Sequence, residues 1–173
     1  RPAIGDEPFA VLLPDDLIWS QGPGALAQML ELARARSAGV VAVQEVPREQ
    51  TGSYGIVAAP HFTDRSGRIE AIVEKPRPET APSTLAVVGR YVLPARIFDC
   101  LERVTPGSGG EIQLTDGIAA LLAEQPVLAC RFEGRRFDCG SRIGLVEATI
   151  QFALEHEDLS EDARRYMRAA LGD

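Results

Sequence analysis

The stretch FAVLLPDD, residues 9–16, decides the fold class, because a short apolar run ends there in two adjacent carboxylates. Phe9 to Leu13 is too short for a lone helix and is typical of a strand buried on both faces of a parallel sheet. Ligands of open α/β sheets bind beyond the carboxyl ends of the strands. We therefore expect Asp15 and Asp16 to lie where such a protein holds a metal or a polar substrate. The alternative is that Pro14, Asp15 and Asp16 form only a solvated turn.

The composition excludes several classes of function. The chain of 173 residues is long enough for one domain, and its hydrophobic content of 45% is that of a soluble globular protein. A net charge of -7 argues against non-specific binding to nucleic acid or to anionic membranes, and no apolar run approaches the ~20 residues of a membrane helix. The three cysteines lack paired metal-binding spacing, so we expect reduced thiols and a cytoplasmic protein.

The hydrophobic pattern along the chain predicts alternating strands and helices. Their order is strand, helix, strand, hairpin, strand, two helices, hairpin and helix, which is typical of a mixed α/β protein with a partly parallel sheet. A single, partial domain over residues 1–173 is expected, because the first strong strand has no earlier strand in the sequence to pair with. Strands are predicted at 9–13, 40–46, 54–57, 68–74, 85–93, 127–132 and 136–138, and helices at 25–37, 94–103, 111–124, 141–156 and 161–171.

The sequence Glu74-Lys75-Pro76 directly follows a predicted strand and contains the only lysine, in a chain with seventeen arginines. Adjacent side chains on an extended segment point to opposite sides, so this pair would contact different parts of one ligand. A lysine suits phosphate as a compact charge, and a glutamate accepts hydrogen bonds from sugar hydroxyls. The alternative is an ordinary surface pair without a ligand.

Two further segments carry candidate groups. Asp138 ends a predicted strand just before Gly140 and Ser141, which lead into a helix; the alternative is that Asp138 and Ser141 merely cap that helix. In GGEIQLTD, residues 109–116, the paired glycines would let a ligand approach the helix start, with Thr115 and Asp116 facing inward. An ordinary glycine hinge is the alternative there.

Together these groups suit phosphoryl or nucleotidyl transfer, which depends mainly on positioning and charge neutralisation. Asp15 and Asp138 could share one divalent cation through oxygen ligands. Lys75 supplies a charge for phosphate. Glu74 offers a hydrogen-bond acceptor for a polar ring. Gly55 and Gly89 would let that ring approach the backbone closely.

At these residues the sequence resembles the bacterial UTP–glucose-1-phosphate uridylyltransferases (UDP-glucose pyrophosphorylases), a family of sugar nucleotidyltransferases. The matching segments occur in the family's order and cover nearly the whole chain. They are FAVLLPDDLI (9–18), YGIV (54–57), IVEKP (72–76), VVGRYVLP (87–94), GGEIQLTD (109–116) and RFDCGSRIG (136–144). The resemblance implies a Rossmann-like α/β fold with a mixed, mostly parallel sheet of the nucleotide-diphospho-sugar transferase type.

The resemblance also implies the roles of individual residues. Asp15 and Asp138 would hold Mg²⁺, and Lys75 would bind the sugar phosphate, with Lys75 and Asp15 as the catalytic residues. Glu74 would hold glucose hydroxyls. The remaining substrate contacts would come from Gly55, Val88, Gly89 and Glu111. Glucose 1-phosphate would attack the α-phosphorus of UTP and yield UDP-glucose and pyrophosphate.

One feature of the family has no counterpart in this sequence. The glycine-rich nucleotide loop, with its N-terminal nucleotide-binding strands, precedes the LPDD segment in the family and is missing here. The chain therefore resembles the C-terminal part of such an enzyme, and we expect it to be inactive alone. The alternatives are another sugar-1-phosphate nucleotidyltransferase or a non-catalytic sugar-phosphate-binding module. A homo-oligomer is expected, although the apolar spacing of the last two helices equally fits a packed terminal helix.

Overall fold

A computed structural model describes residues 3–105 and 110–172. The chain divides into two compact units, the first comprising Arg1–Leu13 and Ala25–Glu133 and the second Pro14–Gly24 and Gly134–Asp173. The expectation of a single domain stays a prediction.

In its described residues the first unit has seven strands, three α-helices and a short 3₁₀ helix. The strands are β1 (Phe9–Leu12), β3 (Gly39–Glu45), β4 (Gly55–Ala58), β5 (Ser66–Arg68), β6 (Ala71–Glu74), β7 (Leu85–Leu93) and β8 (Val127–Arg131). The helices are α1 (Ala25–Arg36), α2 (Arg96–Arg103) and α3 (Leu114–Leu122), with the 3₁₀ helix at Arg48–Ser53. In the second unit lie β2 (Asp16–Trp19), β9 (Arg135–Asp138), α4 (Arg142–Glu155) and α5 (Ser160–Leu171). The sequence did not predict β2, β5 or the 3₁₀ helix.

The seven strands of the first unit form one mixed sheet in the order β5-β8-β3-β7-β4-β6, with β1 paired to β7. The mixed α/β class is confirmed. Among the described pairings, however, only β3 with β8 is parallel, so the expected predominance of parallel pairs is not found in these strands. One reason is that β7 runs antiparallel to its three neighbours β1, β3 and β4. Another is the antiparallel hairpin of β4 and β6, which was predicted and is confirmed.

The prediction that β1 is buried on both faces is wrong. Along this strand exposed and half-buried residues alternate, and Leu12 is 51% exposed. Phe9 stacks on Phe98 of α2, with ring centroids 5.1 Å apart, so one face of β1 packs on a helix. In the described residues β7, not β1, is the strand buried almost throughout, because it has strands on both sides.

The core of the first unit lies between the sheet and helices α2 and α3. Both helices turn apolar faces inward, with Ile97, Cys100, Ile118 and Leu121 essentially inaccessible to solvent. Gly117 lets them approach, since a Cβ there would lie 2.4 Å from Leu101 Cδ2. This packing places the first turn of α3 next to the end of β6.

In the second unit β2 and β9 form a two-stranded antiparallel sheet in which Asp16 is the register partner of Asp138. The predicted pairing of β8 with β9 is therefore wrong, because β8 joins the large sheet and β9 pairs with β2. Helix α4 starts where Ser141 Oγ accepts from Gly144 N at 3.0 Å. Gly144 is required there, since a Cβ would lie 2.0 Å from the carbonyl oxygen of Asp138.

Helices α4 and α5 contact each other but leave large apolar side chains in solvent. Ile143 is 66% exposed and Tyr166 is 76% exposed. Within the described residues, no helix is both long enough and apolar enough to cross a membrane.

Candidate functional site

The first candidate cluster lies where β6 ends beside β4 and α3. Gly55 and Glu74 are register partners across the β4–β6 pair. Glu74 Oε2 accepts a hydrogen bond from Thr115 Oγ1 at 2.5 Å. A Cβ on Gly55 would lie 3.2 Å from that same Oε2 and 3.4 Å from Thr115 Cγ2. The close approach predicted at Gly55 is thus made by the chain's own carboxylate and threonine, and the glycine gives them room.

Lys75 follows Glu74 in an unusual backbone conformation. Its φ of 44° lies in the left-handed region, which is costly for a residue with a side chain and more so before a proline. Its amide donates to the carbonyl of Tyr54 at 3.0 Å. The side chain is 63% exposed, with Nζ 3.9 Å from Glu74 Oε1. Backbone strain of this kind is found most often at functional sites, and here it presents a solvated ammonium beside a half-buried carboxylate.

The two predicted residues of β7 differ in what they can offer a ligand. Val88 is buried, with its side chain on the opposite face from Val87. Val87, which sequence reasoning missed, lies with its Cγ2 3.6 Å from the position of a Gly55 Cβ. The carbonyl of Gly89 accepts from Leu13 N at 2.8 Å and from Arg90 Nη1 at 3.0 Å. Because a carbonyl oxygen has two lone pairs, that acceptor is already used.

Glu111 is exposed and lies before α3, which begins at Leu114 rather than at the predicted residue 111. Among the described residues, no hydrogen bond or ion pair joins Glu111 to Glu74, Lys75 or Thr115. Thr115 is half-buried in the first turn of α3, as expected, and it contacts Glu74. Gly109 of the same motif lies outside the described residues.

The second candidate cluster surrounds Gly140, in the second unit. A Cβ at Gly140 would lie 3.1 Å from Asp138 Oδ1 and 3.6 Å from Asp15 Oδ2. Gly140 N donates to Asp138 Oδ1 at 3.1 Å, and Cys139 N donates to the carbonyl of Asp15 at 2.7 Å. Two acids far apart in sequence, Asp15 and Asp138, thus come close to the same glycine. The divalent cation that the sequence predicts for them stays a prediction.

Asp16 has a different role from its neighbour Asp15. It is 6% exposed and forms a close ion pair with Arg136, whose side chain is also nearly buried. Arg136 Nη2 lies 3.8 Å from Asp138 Oδ2. A buried acid with an arginine partner is typical of a structural ion pair, so Asp16 is not available to a ligand in the way that the exposed Asp15 is. That Asp15 lines a ligand site stays a prediction.

The Gly140 cluster fits a hard divalent cation. Carboxylate oxygens are its preferred protein ligands, and Mg²⁺ commonly keeps several waters and binds through one or two carboxylates plus substrate phosphates. Within residues 3–105 and 110–172, no group of three or more histidine, cysteine or acidic side chains could hold a metal. A cation at Asp15 and Asp138 would accordingly need its remaining ligands from water or phosphate.

The two clusters belong to different compact units, so the expected convergence of Lys75 with Asp15 and Asp138 stays a prediction. A surface cavity beside the end of α1, lined among others by Leu30 and Val92, contains none of the predicted site residues.

Two carboxylates close to one glycine, and an ammonium beside a carboxylate, are groups that are typical of sites for phosphate esters. The chain belongs to the Nucleotidyl transferase family, whose profile matches residues 1–154. The predicted resemblance to the UTP–glucose-1-phosphate uridylyltransferases is confirmed. Over 150 residues, which are 86% of the chain, the sequence is 50% identical to a UTP–glucose-1-phosphate uridylyltransferase of Pseudomonas aeruginosa.

Solved structures agree with these relatives. A UTP-bound UDP-glucose pyrophosphorylase of Acinetobacter baumannii superimposes with a TM-score of 0.85 at 40% identity, covering 96% of this chain and 57% of that one. A UDP-glucose pyrophosphorylase complexed with UDP-glucose gives 0.84 at 39% identity, covering 90% and 59%. The chain spans about half the length of the relatives it matches, 54% for the Pseudomonas protein.

Proposed function

We propose that this chain supplies the sugar-phosphate-binding and metal-binding residues of an enzyme that transfers a uridylyl group from UTP to glucose 1-phosphate. The observation that carries the proposal is the pair at the end of β6, where Glu74 Oε1 and Lys75 Nζ lie 3.9 Å apart. One ligand with a hydroxyl next to a phosphate would satisfy both groups. The names of the relatives support UTP and glucose 1-phosphate as substrates.

In this reaction a phosphate oxygen of glucose 1-phosphate attacks the α-phosphorus of UTP. The bond from that phosphorus to the oxygen bridging to the β-phosphate breaks, and pyrophosphate leaves with the electron pair. Lys75 would bind the sugar phosphate by its charge, and Glu74 would orient the sugar ring through its hydroxyls. No covalent intermediate with the chain is needed, since such transfers depend on positioning and charge neutralisation.

Asp15 and Asp138 are proposed to hold Mg²⁺, which when bound neutralises charge on the phosphate oxygens. The support is the position of their oxygens around Gly140. Gly55, Val88, Gly89 and Glu111 remain proposed substrate contacts. Of these Gly55 has the strongest support, because it is the register partner of Glu74.

The direct test is binding of glucose 1-phosphate to the 173-residue chain, measured by isothermal titration calorimetry. Lys75→Ala should weaken binding at least tenfold. Arg77→Ala is the matched control, since it removes another exposed cation two residues further on. Equal affinities in the wild type and the Lys75→Ala variant would contradict the proposal.

The chain alone is proposed to have no turnover, because no segment of it matches the family's glycine-rich nucleotide loop. Pyrophosphate release from UTP and glucose 1-phosphate by the purified chain would overturn this. A chimaera in which the chain replaces the matching 150 residues of the Pseudomonas relative should be active. If it binds glucose 1-phosphate without turnover, a non-catalytic sugar-phosphate module is favoured. Faster turnover with another nucleotide or sugar phosphate would favour another nucleotidyltransferase.

We further propose a cytoplasmic homo-oligomer that binds neither nucleic acid nor membranes. The three cysteines are unpaired, which suits a reducing compartment, and the net charge is -7. The exposed apolar residues Ile143 and Val146 on α4 support self-association. Sedimentation at micromolar concentration should show a species larger than the monomer, and Val146→Asp should reduce its fraction.

A further inference from the structure

We propose that Thr115 is a positioning residue, which fixes the carboxylate of Glu74 so that one defined oxygen is left to accept a ligand hydroxyl. The inference rests on the proposed function, because it assumes that Glu74 and Lys75 share a sugar phosphate. It concerns a residue on a different element, α3, that would act through Glu74 and not by touching the reacting atoms.

The hydrogen bond from Thr115 distinguishes the two oxygens of Glu74. Its hydroxyl donates to Oε2 at 2.5 Å, whereas Oε1 lies on the side of Lys75, with Nζ 3.9 Å away. A hydroxyl has one proton to donate, and hydrogen bonds to a carboxylate are among the stronger ones. Oε2 is thereby held toward α3, and Oε1 is the oxygen presented beside the ammonium.

Thr115 is itself held in place. Its Cγ2 lies 3.4 Å from the position of a Gly55 Cβ, so its methyl group packs against β4 while its hydroxyl meets Glu74. A β-branched side chain on a helix has few rotamers, and α3 is anchored by the buried Ile118 and Leu121. The position of the Thr115 hydroxyl relative to Glu74 is therefore restricted by the packing of its methyl group and of α3.

This arrangement has a specific consequence for binding. A glutamate side chain loses conformational entropy when it binds a ligand. This loss is smaller when the carboxylate is already held in one position. The benefit applies to ligands that donate a sugar hydroxyl to Glu74 and is not expected for inorganic phosphate, whose main interaction here would be with the charge of Lys75. Removing the Thr115 hydroxyl should accordingly change the ratio of the two affinities.

The test compares three variants of the 173-residue chain by calorimetric titration with glucose 1-phosphate and, separately, inorganic phosphate. Thr115→Val keeps the shape and removes the hydroxyl, and Thr115→Ser keeps the hydroxyl and removes the methyl group. Thr149→Val is the matched control, since this helical threonine donates to its own helix at Leu145 O. Thermal unfolding of each variant checks that it folds.

We expect Thr115→Val to lose about tenfold in affinity for glucose 1-phosphate, the value of one hydrogen bond, with the affinity for inorganic phosphate unchanged. Thr115→Ser should stay within about threefold of the wild type for both ligands. In a Glu74→Ala background, Thr115→Val should add little further loss, because the acceptor of the Thr115 hydroxyl is already gone.

Three outcomes would overturn the proposal. They are an unchanged affinity in Thr115→Val, an equal loss for both ligands, or a loss in Thr115→Ser as large as in Thr115→Val. Each of these leaves the proposed function intact, because the wild type still binds the sugar phosphate. If the wild-type chain does not bind glucose 1-phosphate at all, both the site and the role of Thr115 are rejected.

Discussion

Asp15 and Asp138 each place a carboxylate oxygen within 4 Å of the point that a Cβ of Gly140 would occupy. The glycine keeps this space open between two acids from opposite ends of the sequence. We therefore expect an added side chain at this position to disturb a cation shared by the two carboxylates.

Gly140→Ala should abolish cation binding at this cluster while the second unit stays folded. The added methyl group would sit 3.1 Å from Asp138 Oδ1 and 3.6 Å from Asp15 Oδ2, and would crowd the oxygens proposed to hold the cation. The measurement is Mn²⁺-induced broadening of the amide signals of Cys139 and Gly140 in NMR spectra. Gly24→Ala is the control, because nothing lies within 4 Å of its added Cβ. Undiminished broadening in Gly140→Ala would exclude a cation at this position.

The adjacent acids Asp15 and Asp16 should respond differently to the same substitution. Asp15→Asn should remove the Mn²⁺ effect with little change in stability, since Asp15 is exposed. Asp16→Asn should destabilise the second unit by about 3 kcal/mol, because it removes the charge of the carboxylate that lies nearest to the nearly buried Arg136. Urea unfolding of both variants, followed by the fluorescence of Trp19 in β2, measures the two changes in stability. Similar unfolding midpoints for the two variants would show that Asp16 is not the structural anchor.

Lys75→Gly should stabilise the first unit and remove phosphate binding. Glycine adopts the left-handed φ of 44° without the strain that lysine has there, which is worth about 1 kcal/mol. The experiment is thermal unfolding combined with titration by glucose 1-phosphate. Lys75→Ala, the control, should lose binding without gaining stability. A lower melting temperature for Lys75→Gly than for Lys75→Ala would contradict the strained conformation.

Gly55→Ala should weaken binding of glucose 1-phosphate about tenfold, with a change in stability of less than about 1 kcal/mol. The new Cβ would meet Glu74 Oε2 at 3.2 Å and push the carboxylate out of line. Gly52→Ala is a suitable comparison, since its Cβ would make only an ordinary contact of 3.6 Å with the Pro76 carbonyl. Equal affinities for glucose 1-phosphate in the two variants would show that Gly55 is not part of the binding site.

Burial raises the pKa of the Cys130 thiol in the folded protein. The folded state thus keeps its proton at pH values where the unfolded chain, with a pKa near the ordinary value of 9.0, has lost it. The stability from this group is complete below that unfolded pKa and declines as the pH rises through the folded value. Unfolding curves from pH 8 to 10.5 should show a steeper decline for the wild type than for Cys130→Ala. If the free energy of unfolding declined equally with pH in both proteins, the raised pKa of the Cys130 thiol would be contradicted.

The strands and helices of this protein were largely readable from local patterns. Runs such as 40–46 and 85–93, and the helical spacing over 25–37, mark their elements because burial on one side imposes a period of two or 3.6 residues. Sequence reasoning missed β2 because this short strand begins at the second of two adjacent acids, Asp16. In the described residues β2 pairs with a single strand, β9. It misjudged β1 because an apolar run does not reveal how many neighbours the strand will have.

The sequence by itself determined which groups are available: the only lysine, the two carboxylates that reach Gly140, and the motifs that mark the nucleotidyltransferase family. Only the tertiary structure decided their partners. It separated the exposed Asp15 from the buried Asp16, fixed Lys75 at positive φ, and brought Thr115 to Glu74. The physical reason is that residue type sets what a side chain can bind, whereas contacts between residues distant in sequence depend on how the elements pack.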